Sequence, residues 1–472
     1  MSKNLKVDLC IIGAGSGGLS VAAGASQMGA SVALIEKGEM GGDCLNYGCV
    51  PSKALLAAAK AAHAHRSGEK FGVAADEPTV DFPAVNAHVK AVIAGIAPHD
   101  SQERFEGFGC TVIRDGAKFV GPTTVEAGGY TIDARRVVIS TGSSPFVPPI
   151  EGLQNTPYFT NETIFDNTEL PERLIVVGGG PIGMEMAQAH KRLGSDVVVL
   201  EGAKALGKDD PELTEIALEN LRAEGLDIRE DALVERVSNE GGKIHVHLKG
   251  GEVVEGTHLL MAVGRQANVE GLDLEKAGIE YSRRGISVGA NLKTSNKKVF
   301  AIGDVTGGLQ FTHVAGYHAG VVIRSALFQM FWAKASTAHI PWVTYVDPEI
   351  AHVGLTEDQA KTKYGAGVSV LRFAANETDR AQAERTSKGL IKVVLKGSKI
   401  IGASIVGKGA GEMIHLWAFA IANKQKIGAM AGYVAPYPTL GEASKRVAGS
   451  HYTPKLFSDR TRKIVGLLSK LG

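Results

Sequence analysis

The sequence predicts an α/β fold in which two doubly wound βαβ units are followed by a third region of α+β type. The same glycine-rich turn occurs twice, each time between a buried-strand pattern and a helical one. In both copies an acidic residue follows the next strand, 23 residues after the first glycine of the turn. From about residue 340 the chain shows strands, an apolar helix and a proline-rich segment, without a third copy of the turn.

The composition is that of a globular chain with an excess of glycine. Its 472 residues suffice for about three domains, and a formal net charge of +1 argues against nucleic-acid binding through bulk positive charge. The 59 glycines indicate tight turns and close backbone approaches to ligands. No stretch reaches the about 20 apolar residues of a membrane span.

Four cysteines are too few for a secreted scaffold built on disulfides. We expect no secretory leader, because the apolar run Val7–Ile12 is short, contains an aspartate and leads into glycines. The expected location is the cytoplasm, where a disulfide is usually catalytic or redox-sensing.

The elements of the two βαβ units are predicted in the same order. The first unit has a strand, a turn, a helix and a second strand, at Val7–Ile12, Gly13–Gly18, Leu19–Met28 and Ser31–Ile35. The second unit has the same elements at Leu174–Val177, Gly178–Gly183, Met184–Leu193 and Asp196–Leu200. Elsewhere we predict strands at Val137–Gly142, Lys297–Ile302, Ile391–Lys396 and Ile400–Ile405, and helices at Gly411–Ala422 and, at most, Thr461–Leu471.

Both turns have the form G-x-G-x-x-G, in which the first glycine permits the tight turn, the second admits a pyrophosphate and the third allows close helix–strand packing. These glycines are Gly13, Gly15 and Gly18 in the first unit, and Gly178, Gly180 and Gly183 in the second. Glu36 and Glu201 are placed to bind ribose hydroxyls. A turn without a ligand is the alternative, but the strand, helix and acid together favour two dinucleotides, a flavin and a nicotinamide.

Glu201 favours NADH over NADPH as the nicotinamide. A carboxylate at the strand end accepts a free 2′-hydroxyl and repels a 2′-phosphate. Between Glu201 and Pro211 the only basic residues are Lys204 and Lys208, and no arginine is present to receive a phosphate.

A pair of cysteines, Cys44 and Cys49, follows the first βαβ unit. In a regular helix residues five apart have Cα atoms about 8.7 Å apart, too far for a disulfide. If the two bridge, the segment departs from a regular helix, and Gly48 supplies the freedom. A structural zinc site and two inert thiols are the alternatives; zinc needs further ligands, and neither Cys10 nor Cys110 lies at ligand spacing.

The string from Gly41 to Lys53, Gly-Gly-Asp-Cys-Leu-Asn-Tyr-Gly-Cys-Val-Pro-Ser-Lys, resembles that of the flavoprotein disulfide reductases, the family of dihydrolipoyl dehydrogenase, glutathione reductase and mercuric reductase. Further matching pieces are Thr141-Gly142, Gly264-Arg265, Ala301-Ile302-Gly303-Asp304 and His313-Val314-Ala315. The resemblance implies an FAD domain at residues 1–150, an NAD(P) domain at 151–272, a central domain at 273–340 and a dimerisation domain at 341–472.

The resemblance also implies roles for single residues. Cys49 corresponds to the thiolate that faces the flavin, and Cys44 to the thiol that meets substrate. Lys53 corresponds to the lysine beside flavin N5, and Glu185 to its partner across the nicotinamide site, a solvated helix face being the alternative for both. The remaining implied FAD or NAD(H) contacts are Asp304 at the ribityl chain, Thr141, Gly142, Ala315 and Gly264.

The chain departs from the resemblance near its proline-rich segment. Reductases of small disulfides usually have His-Pro there, with a glutamate five residues after the histidine, and the partner subunit's active site receives that pair. Here Tyr437 precedes Pro438 and Glu442 is retained. A tyrosine, with a pKa of about 10, is a poor substitute for histidine as an acid–base group. Mercuric reductase resembles the chain in its tyrosine, but its C-terminal cysteine pair is absent here.

Three functions remain open. The first is an NADH-linked disulfide reductase of dihydrolipoyl dehydrogenase type, and the second is a reductase of a metal ion, a quinone or another non-lipoyl acceptor. The third is a redox-sensing module that binds a protein partner according to its dithiol state. A homodimer with a shared site is expected, because by resemblance Tyr437 and Glu442 reach the disulfide of the other chain. The Tyr437-Pro438 bond is expected to be cis.

Overall fold

The computed structural model describes residues 3–74 and 76–471. The chain forms two compact units, which are described separately here. The first comprises residues 1–203 and 226–335, and the second comprises residues 204–225 and 336–472. This division concerns compactness, and the boundaries of the four domains implied by the resemblance remain predictions.

The elements are numbered in chain order. The strands are β1 Lys3–Ile12, β2 Val32–Ile35, β3 Thr111–Ile113, β4 Lys118–Phe119, β5 Thr124–Ala127, β6 Tyr130–Ile139, β7 Ser143–Pro145, β8 Arg173–Val177, β9 Asp196–Leu200, β10 Asp227–Arg229, β11 Val234–Glu240, β12 Lys243–Leu248, β13 Val253–Gly256, β14 His258–Met261, β15 Arg265–Ala267, β16 Tyr281–Ser282, β17 Gly285–Ile286, β18 Val299–Ala301, β19 Pro341–Thr344, β20 Glu349–Gly354, β21 Val368–Ala374, β22 Leu390–Lys396 and β23 Lys399–Gly407. The α-helices are α1 Ser16–Gln27, α2 Gly42–Asn46, α3 Cys49–Arg66, α4 Phe82–Ile96, α5 Gln102–Gly107, α6 Pro181–Leu193, α7 Pro211–Ala223, α8 Thr312–Ala326, α9 Glu357–Tyr364, α10 Asp379–Ala383, α11 Ala410–Ala422, α12 Ile427–Gly432, α13 Glu442–Ser450, α14 Thr453–Leu456 and α15 Asp459–Leu468.

A seven-stranded sheet forms the centre of the first unit, in the order β3-β2-β1-β6-β5-β4 with β18 also paired to β6. The strands β3, β2, β1, β6 and β18 are paired in parallel, and β5 and β4 continue antiparallel. Successive residues of β1 point to opposite faces. Leu9 and Ile11 enter one hydrophobic cluster, whereas Cys10 and Ile12 enter the other. The sheet is therefore buried on both faces, as the continuous apolar run of β1 predicts.

The helix of each βαβ unit begins earlier than the sequence predicts. The sequence predicts helix starts at Leu19 and Met184, but α1 begins at Ser16 and α6 at Pro181. The glycine-rich residues after the tight turn are already helical. Gly18 in particular cannot be replaced by a residue with a side chain, because a Cβ there would lie 1.9 Å from the carbonyl oxygen of Gly13. The last three residues of each predicted turn thus belong to the first helical turn.

The second βαβ unit lies in a four-stranded parallel sheet of order β10-β9-β8-β14. Three antiparallel strands, β11 to β13, and two two-stranded sheets, β7 with β15 and β16 with β17, complete the sheets of the first unit. Two predicted strands have other bounds. β6 runs from Tyr130 to Ile139 instead of ending at Gly142, because its first half alternates buried and exposed side chains and continues a hairpin with β5. β18 is limited to Val299–Ala301.

The second unit contains a five-stranded antiparallel sheet of order β19-β20-β23-β22-β21. Helix α11 packs on β20 and β23. Its Trp417 is fully buried and donates a hydrogen bond from Nε1 to Ser444 Oγ over 3.2 Å. The predicted strands and helix of this region are present, with bounds that differ by a few residues.

In the second unit the buried side chain of Lys392 contacts three carboxylates. The ammonium nitrogen of Lys392 lies 2.8 Å from Asp210 Oδ2, 2.9 Å from Glu212 Oε2 and 2.7 Å from Glu357 Oε2. Arg372 contacts Glu212 and Glu357 as well. Burial alone would raise the pKa of Glu357, but hydrogen bonds from Lys361 and Lys392 lower this pKa to about 2.

No helix among the residues that the structure describes combines the length and apolarity that crossing a membrane requires.

Candidate active site

The two cysteines flank a break between two helices. α2 ends at Asn46 and α3 begins at Cys49, so the pair does not share one regular helix. Between them Gly48 has φ −123° and ψ −111°, which lies outside the helical region. A Cβ on Gly48 would also lie 2.8 Å from Asp43 Oδ2. The segment therefore has the departure from helical geometry that a bridge would require, and the bridge itself stays a prediction.

Cys44 and Cys49 are free thiols in the structure and are hydrogen-bonded to each other. The hydrogen bond from Cys44 lowers the pKa of Cys49 to about 6 against the effect of burial, with further contributions from Thr312 and Lys53. The same hydrogen bond and burial raise the pKa of Cys44. Cys49 is also the first residue of α3, a position that favours a thiolate. At neutral pH one sulfur is therefore a thiolate and the other a thiol.

Lys53 forms an ion pair with Glu185. Lys53 lies one turn after Cys49 on α3, and its Nζ is 2.7 Å from Glu185 Oε2 on α6. The Glu185 side chain is 6% exposed and that of Lys53 is 38% exposed. The pairing itself is the one that the resemblance implies.

The outer glycines of the two turns have matching surroundings. Gly13 and Gly178 have φ values of 101° and 111°, and a Cβ on them would lie 2.5 and 2.4 Å from carbonyl oxygens. A Cβ on Gly18 or Gly183 would lie 1.9 or 2.0 Å from the carbonyl oxygen of the first glycine of its own turn. Both turns thus require glycine at these positions for the reasons given by the fingerprint.

The middle glycines border open space at a helix N-terminus. Gly15 precedes α1 and Gly180 precedes α6. The nearest atom to a Cβ on Gly15 would be Gly42 Cα at 3.9 Å, and among the described residues no atom lies within 4 Å of a Cβ on Gly180. The first backbone N–H groups of each helix therefore border a cradle of the kind that receives a pyrophosphate. The residues present fit two dinucleotides.

The acidic residues of the two units make equivalent hydrogen bonds. Glu36 Oε2 accepts a hydrogen bond from Ala14 N over 2.6 Å, and Glu201 Oε2 accepts one from Gly179 N over 2.7 Å. The second oxygen of each carboxylate accepts from the backbone N–H two residues further along the chain. Each acid is therefore held beside its glycine turn, where a ribose is expected.

Asp304 is linked to the cysteine segment by a chain of polar contacts. Its Oδ2 accepts a hydrogen bond from Ser143 Oγ over 2.7 Å, and Ser143 Oγ accepts one from Arg265 Nε over 2.7 Å. Arg265 also lies 3.0 Å from Asp43 Oδ1, one residue before Cys44. Burial raises the pKa of Asp304.

The other predicted cofactor contacts lie on turns and on one helix. Thr141 donates a hydrogen bond from Oγ1 to Asn268 O over 2.7 Å, and Gly142 adopts a φ of 69°. Gly264 has a φ of 139°. Ala315 lies in the first turn of α8, where a Cβ on Gly303 would come within 3.1 Å of its side chain. What these residues bind remains a prediction.

Tyr437 and Glu442 belong to the second unit. Tyr437 is 68% exposed and donates a hydrogen bond to Asp379 Oδ2 over 2.5 Å, which raises the pKa of the phenol. Glu442 Oε1 lies 2.7 Å from Arg446, while its Oε2 is buried without a hydrogen-bond partner among the described residues. The Tyr437-Pro438 bond is cis, as predicted.

Two polar residues of the site have no role assigned from the sequence. Thr312 Oγ1 lies 3.4 Å from Cys49 Sγ, and Arg265 connects Asp43 with Ser143. Thr312 directly precedes the matching piece His313-Val314-Ala315, and Arg265 is itself part of the matching piece Gly264-Arg265. Over residues 3–74 and 76–471 no group of three or more His, Cys, Asp or Glu side chains is arranged to hold a metal ion.

Comparison with known proteins identifies the family. The family model of pyridine nucleotide-disulphide oxidoreductases matches residues 7–319, and that of their dimerisation domain matches residues 340–448. The chain belongs to this family. As a pyridine nucleotide-disulphide oxidoreductase it binds FAD and NAD(P)H, and it is an NAD(P)H-dependent flavoprotein disulfide oxidoreductase with a domain for homodimer formation.

Relatives in the pyridine nucleotide-disulphide oxidoreductase family span nearly the whole chain. A mercuric reductase of Lysinibacillus sphaericus is 35% identical over 93% of this chain and 82% of its own length. A dihydrolipoyl dehydrogenase of Thermus scotoductus is 34% identical over 93% of this chain and 96% of its own length. The HOCl-induced flavoprotein disulfide reductase RclA of Escherichia coli, solved as a Cu(II) complex, superposes with a TM-score of 0.83 at 28% identity, over 93% of this chain and 99% of RclA. LpdA of Mycobacterium tuberculosis shares the fold, with a TM-score of 0.86 at 24% identity over 95% of this chain and 99% of LpdA.

Proposed function

We propose that the protein uses NADH to reduce a small disulfide through Cys44 and Cys49, working as a homodimer. The observation that carries this proposal is the placement of the two thiols, Cys44 on α2 and Cys49 at the start of α3 one turn before Lys53. In this arrangement the pKa of Cys49 is lowered and that of Cys44 is raised. Disulfide exchange needs one sulfur that meets the acceptor and a second that resolves the mixed disulfide. Two cysteines with different pKa values suit these two roles.

The chemistry at sulfur follows from this pair. Cys44 loses its proton and attacks one sulfur of the acceptor disulfide, which releases the other acceptor sulfur as a thiol. Cys49 then attacks the sulfur of Cys44, releases the second acceptor thiol and closes the internal disulfide. Two electrons have left the pair, and the two acceptor sulfurs gain one proton from Cys44 and one from solvent, because Cys49 attacks as a thiolate. NADH returns two electrons as hydride, and bound FAD supplies the relay from nicotinamide to sulfur.

The contacts of Lys53 support its assignment beside this pair. Its positive charge lowers the pKa of Cys49, and Glu185 holds its ammonium group at 2.7 Å. An ion pair on two helices fixes the side chain more firmly than a single lysine would be held. We assign to Lys53 and Glu185 the positioning of the nicotinamide.

Glu201 supports NADH as the reductant. Its carboxylate is held by the backbone N–H groups of Gly179 and Ala203, at 2.7 and 2.9 Å. A carboxylate fixed at this point binds a ribose hydroxyl pair and repels a phosphate.

Tyr437 and Glu442 are proposed to complete the site of the second subunit. Tyr437 is exposed, and the Oε2 atom of Glu442 is buried without a described partner. Arg446 holds the other carboxylate oxygen at 2.7 Å, so the Glu442 side chain has a fixed position five residues after Tyr437.

The test is an anaerobic titration of the holoenzyme with NADH, followed by a screen of acceptors. We expect a long-wavelength absorbance from the Cys49 thiolate next to the oxidised flavin, and its loss in Cys49→Ser. The screen measures NADH oxidation with lipoamide, glutathione disulfide, quinones, Hg(II) and Cu(II). If the absorbance is missing in protein with intact flavin, the proposal is wrong.

A second candidate is a reductase of a metal ion, a quinone or another non-lipoyl acceptor. It is favoured by Tyr437, because the hydrogen bond to Asp379 raises the pKa of the phenol and keeps it protonated. Such a group does not take a thiol proton at neutral pH. In this candidate the dithiol delivers electrons to an acceptor that needs no acid–base residue.

A further inference from the structure

The described chain ends in an amphipathic helix, α15, whose apolar side chains are exposed. Ser458 caps it by accepting a hydrogen bond from Thr461 N over 3.3 Å. None of its residues is buried among those that the structure describes. Ile464, Leu467 and Leu468 are 47%, 65% and 58% exposed. The helix follows the part of the chain that matches the dimerisation domain, which ends at residue 448.

The apolar residues of α15 lie on one face. Ile464, Leu467 and Leu468 occupy positions i, i+3 and i+4, which a helix of about 3.6 residues per turn places side by side. Val465 borders this face next to Leu468, and the exposed Leu471 follows one turn after Leu467. The apolar face is therefore continuous.

Basic residues outnumber acidic ones in α15 and the residues after it. Arg462 lies two residues before Ile464 and hence roughly opposite it, 3.6 Å from Asp459, while Lys463 lies at the boundary of the apolar face. Arg460 lies one turn before Ile464, Lys470 follows the helix, and Asp459 is the one acidic residue between 459 and 471. Such a surplus contrasts with the whole chain, whose net charge is +1.

We propose that α15 binds the surface of an anionic phospholipid bilayer, with its axis in the plane of the interface. Apolar side chains on one face, with lysines and arginines around them, match the two layers of such a surface, acyl chains below and phosphates above. Charge favours this partner over a second copy of α15, because anionic headgroups neutralise the excess of positive charge, whereas a second copy carries the same excess. The inference does not depend on the acceptor of the enzyme.

The experiment is co-sedimentation of the full-length holoenzyme with lipid vesicles. One set contains equal parts of phosphatidylglycerol and phosphatidylcholine, and the other contains phosphatidylcholine alone. We expect the protein to sediment with the anionic vesicles, to remain largely in solution with the neutral ones, and to dissociate as salt is added.

Two variants and two matched controls test the two faces of α15. Leu467→Ser with Leu468→Ser removes apolar area, and Arg462→Glu with Lys463→Glu reverses two charges. Each pair of substitutions should weaken binding by roughly tenfold or more. The controls are Phe71→Ser, an exposed apolar residue elsewhere, and Arg283→Glu with Arg284→Glu, an exposed basic pair, and both should bind like the wild type.

Three outcomes overturn the proposal. The wild type remains in solution with anionic vesicles, or the α15 variants bind as well as the wild type. Alternatively, the leucine variant weakens the dimer in sedimentation equilibrium while no vesicle binding is found, which assigns the face to a second copy of the chain.

Discussion

Lys53 Nζ lies 2.7 Å from Glu185 Oε2, although 132 residues separate the two in the sequence. The contact joins α3, which begins at Cys49, to α6 of the second βαβ unit. It therefore connects the thiol pair with the glycine turn at which the nicotinamide is expected. The predictions begin with this pair.

Glu185→Gln removes the charge that holds Lys53. We expect reduction of the holoenzyme by NADH to slow roughly 10- to 100-fold, because a misplaced contact at the reacting groups has costs of this order. Anaerobic stopped-flow absorbance measures the rate. Glu255→Gln, which removes an exposed partner of Lys243, is the control and should leave the rate unchanged. An unaffected rate in Glu185→Gln would contradict the assigned role.

The thiolate of Cys49 should persist in the reduced enzyme down to pH values near 6. Its pKa is lowered to about 6, so the thiolate is present above that pH and is lost as the pH falls through it. The rate of alkylation by iodoacetamide, measured between pH 5 and pH 9 in roughly half-unit steps, gives the midpoint. Cys44→Ala removes the hydrogen bond and should move the midpoint upward by about one pH unit.

Thr312→Val serves as the matched substitution for this measurement. It removes a hydroxyl 3.4 Å from Cys49 Sγ without changing the side-chain shape greatly. We expect a smaller upward shift than in Cys44→Ala, because the hydrogen bond from Cys44 has the larger effect on the pKa. Equal midpoints in all three proteins would show that the hydrogen bonds do not stabilise the thiolate.

Tyr437→His should raise turnover with lipoamide by at least about tenfold, if the chain is a disulfide reductase that lacks its acid–base residue. Histidine titrates near neutral pH, whereas the tyrosine stays protonated. Steady-state NADH oxidation with lipoamide measures the effect, and turnover with quinones or Cu(II) should not rise in parallel. Tyr364→His is the control, since the ring of Tyr364 in the same unit contacts Lys363 and Lys396. Unchanged lipoamide turnover in Tyr437→His would refute the acid–base argument.

Glu201→Ala should reduce the preference for NADH over NADPH by roughly tenfold or more, because repulsion of the 2′-phosphate disappears. The ratio of kcat/KM values for the two nucleotides measures the preference. Glu36→Ala, which removes the equivalent carboxylate of the first unit, should weaken retention of FAD and leave that ratio in place. A ratio unchanged in Glu201→Ala would remove the basis for choosing NADH.

Lys392→Met should lower the free energy of unfolding by about 3–5 kcal/mol, because it leaves three carboxylates close together without their common cation. Lys392 is 5% exposed and contacts Asp210, Glu212 and Glu357. Urea denaturation measures the loss. Lys408→Met, at an exposed ion pair with Glu384, should cost less than about 1 kcal/mol. Because the pKa of Glu357 is lowered, we also expect its carboxylate to stabilise the folded state. This stabilisation is complete above pH 4.5 and is lost as the pH falls through about 2.

The regular parts of the fold could be predicted because their periodicity is strong. β9 has the predicted bounds, and β1 and β8 differ from prediction only at their first residues. Helix starts were harder to predict, because Gly17 and Gly18 suggested a turn although they serve close packing inside α1. The first half of β6 was missed, since its exposed face carries charged residues that interrupt the apolar run.

The site was predictable where a motif fixed the residues, and not where folding alone brings them together. The cysteine spacing and Gly48 predicted a break that the structure contains. The partner of Tyr437 was not predictable, because Asp379 lies 58 residues away and carries no motif. The ionic cluster around Lys392 joins residues from three separate stretches of the chain, so no local sequence pattern predicts it.

Helix α3 carries both Cys49, its first residue, and Lys53, one turn later. Residues four apart on a helix keep a constant spacing as long as the backbone hydrogen bonds of that turn are intact. The Cα atoms of Cys49 and Lys53 therefore keep their separation whenever this part of the molecule moves. A motion can widen or narrow the approach of a dinucleotide to this turn of α3, but it cannot change that separation without unwinding the turn.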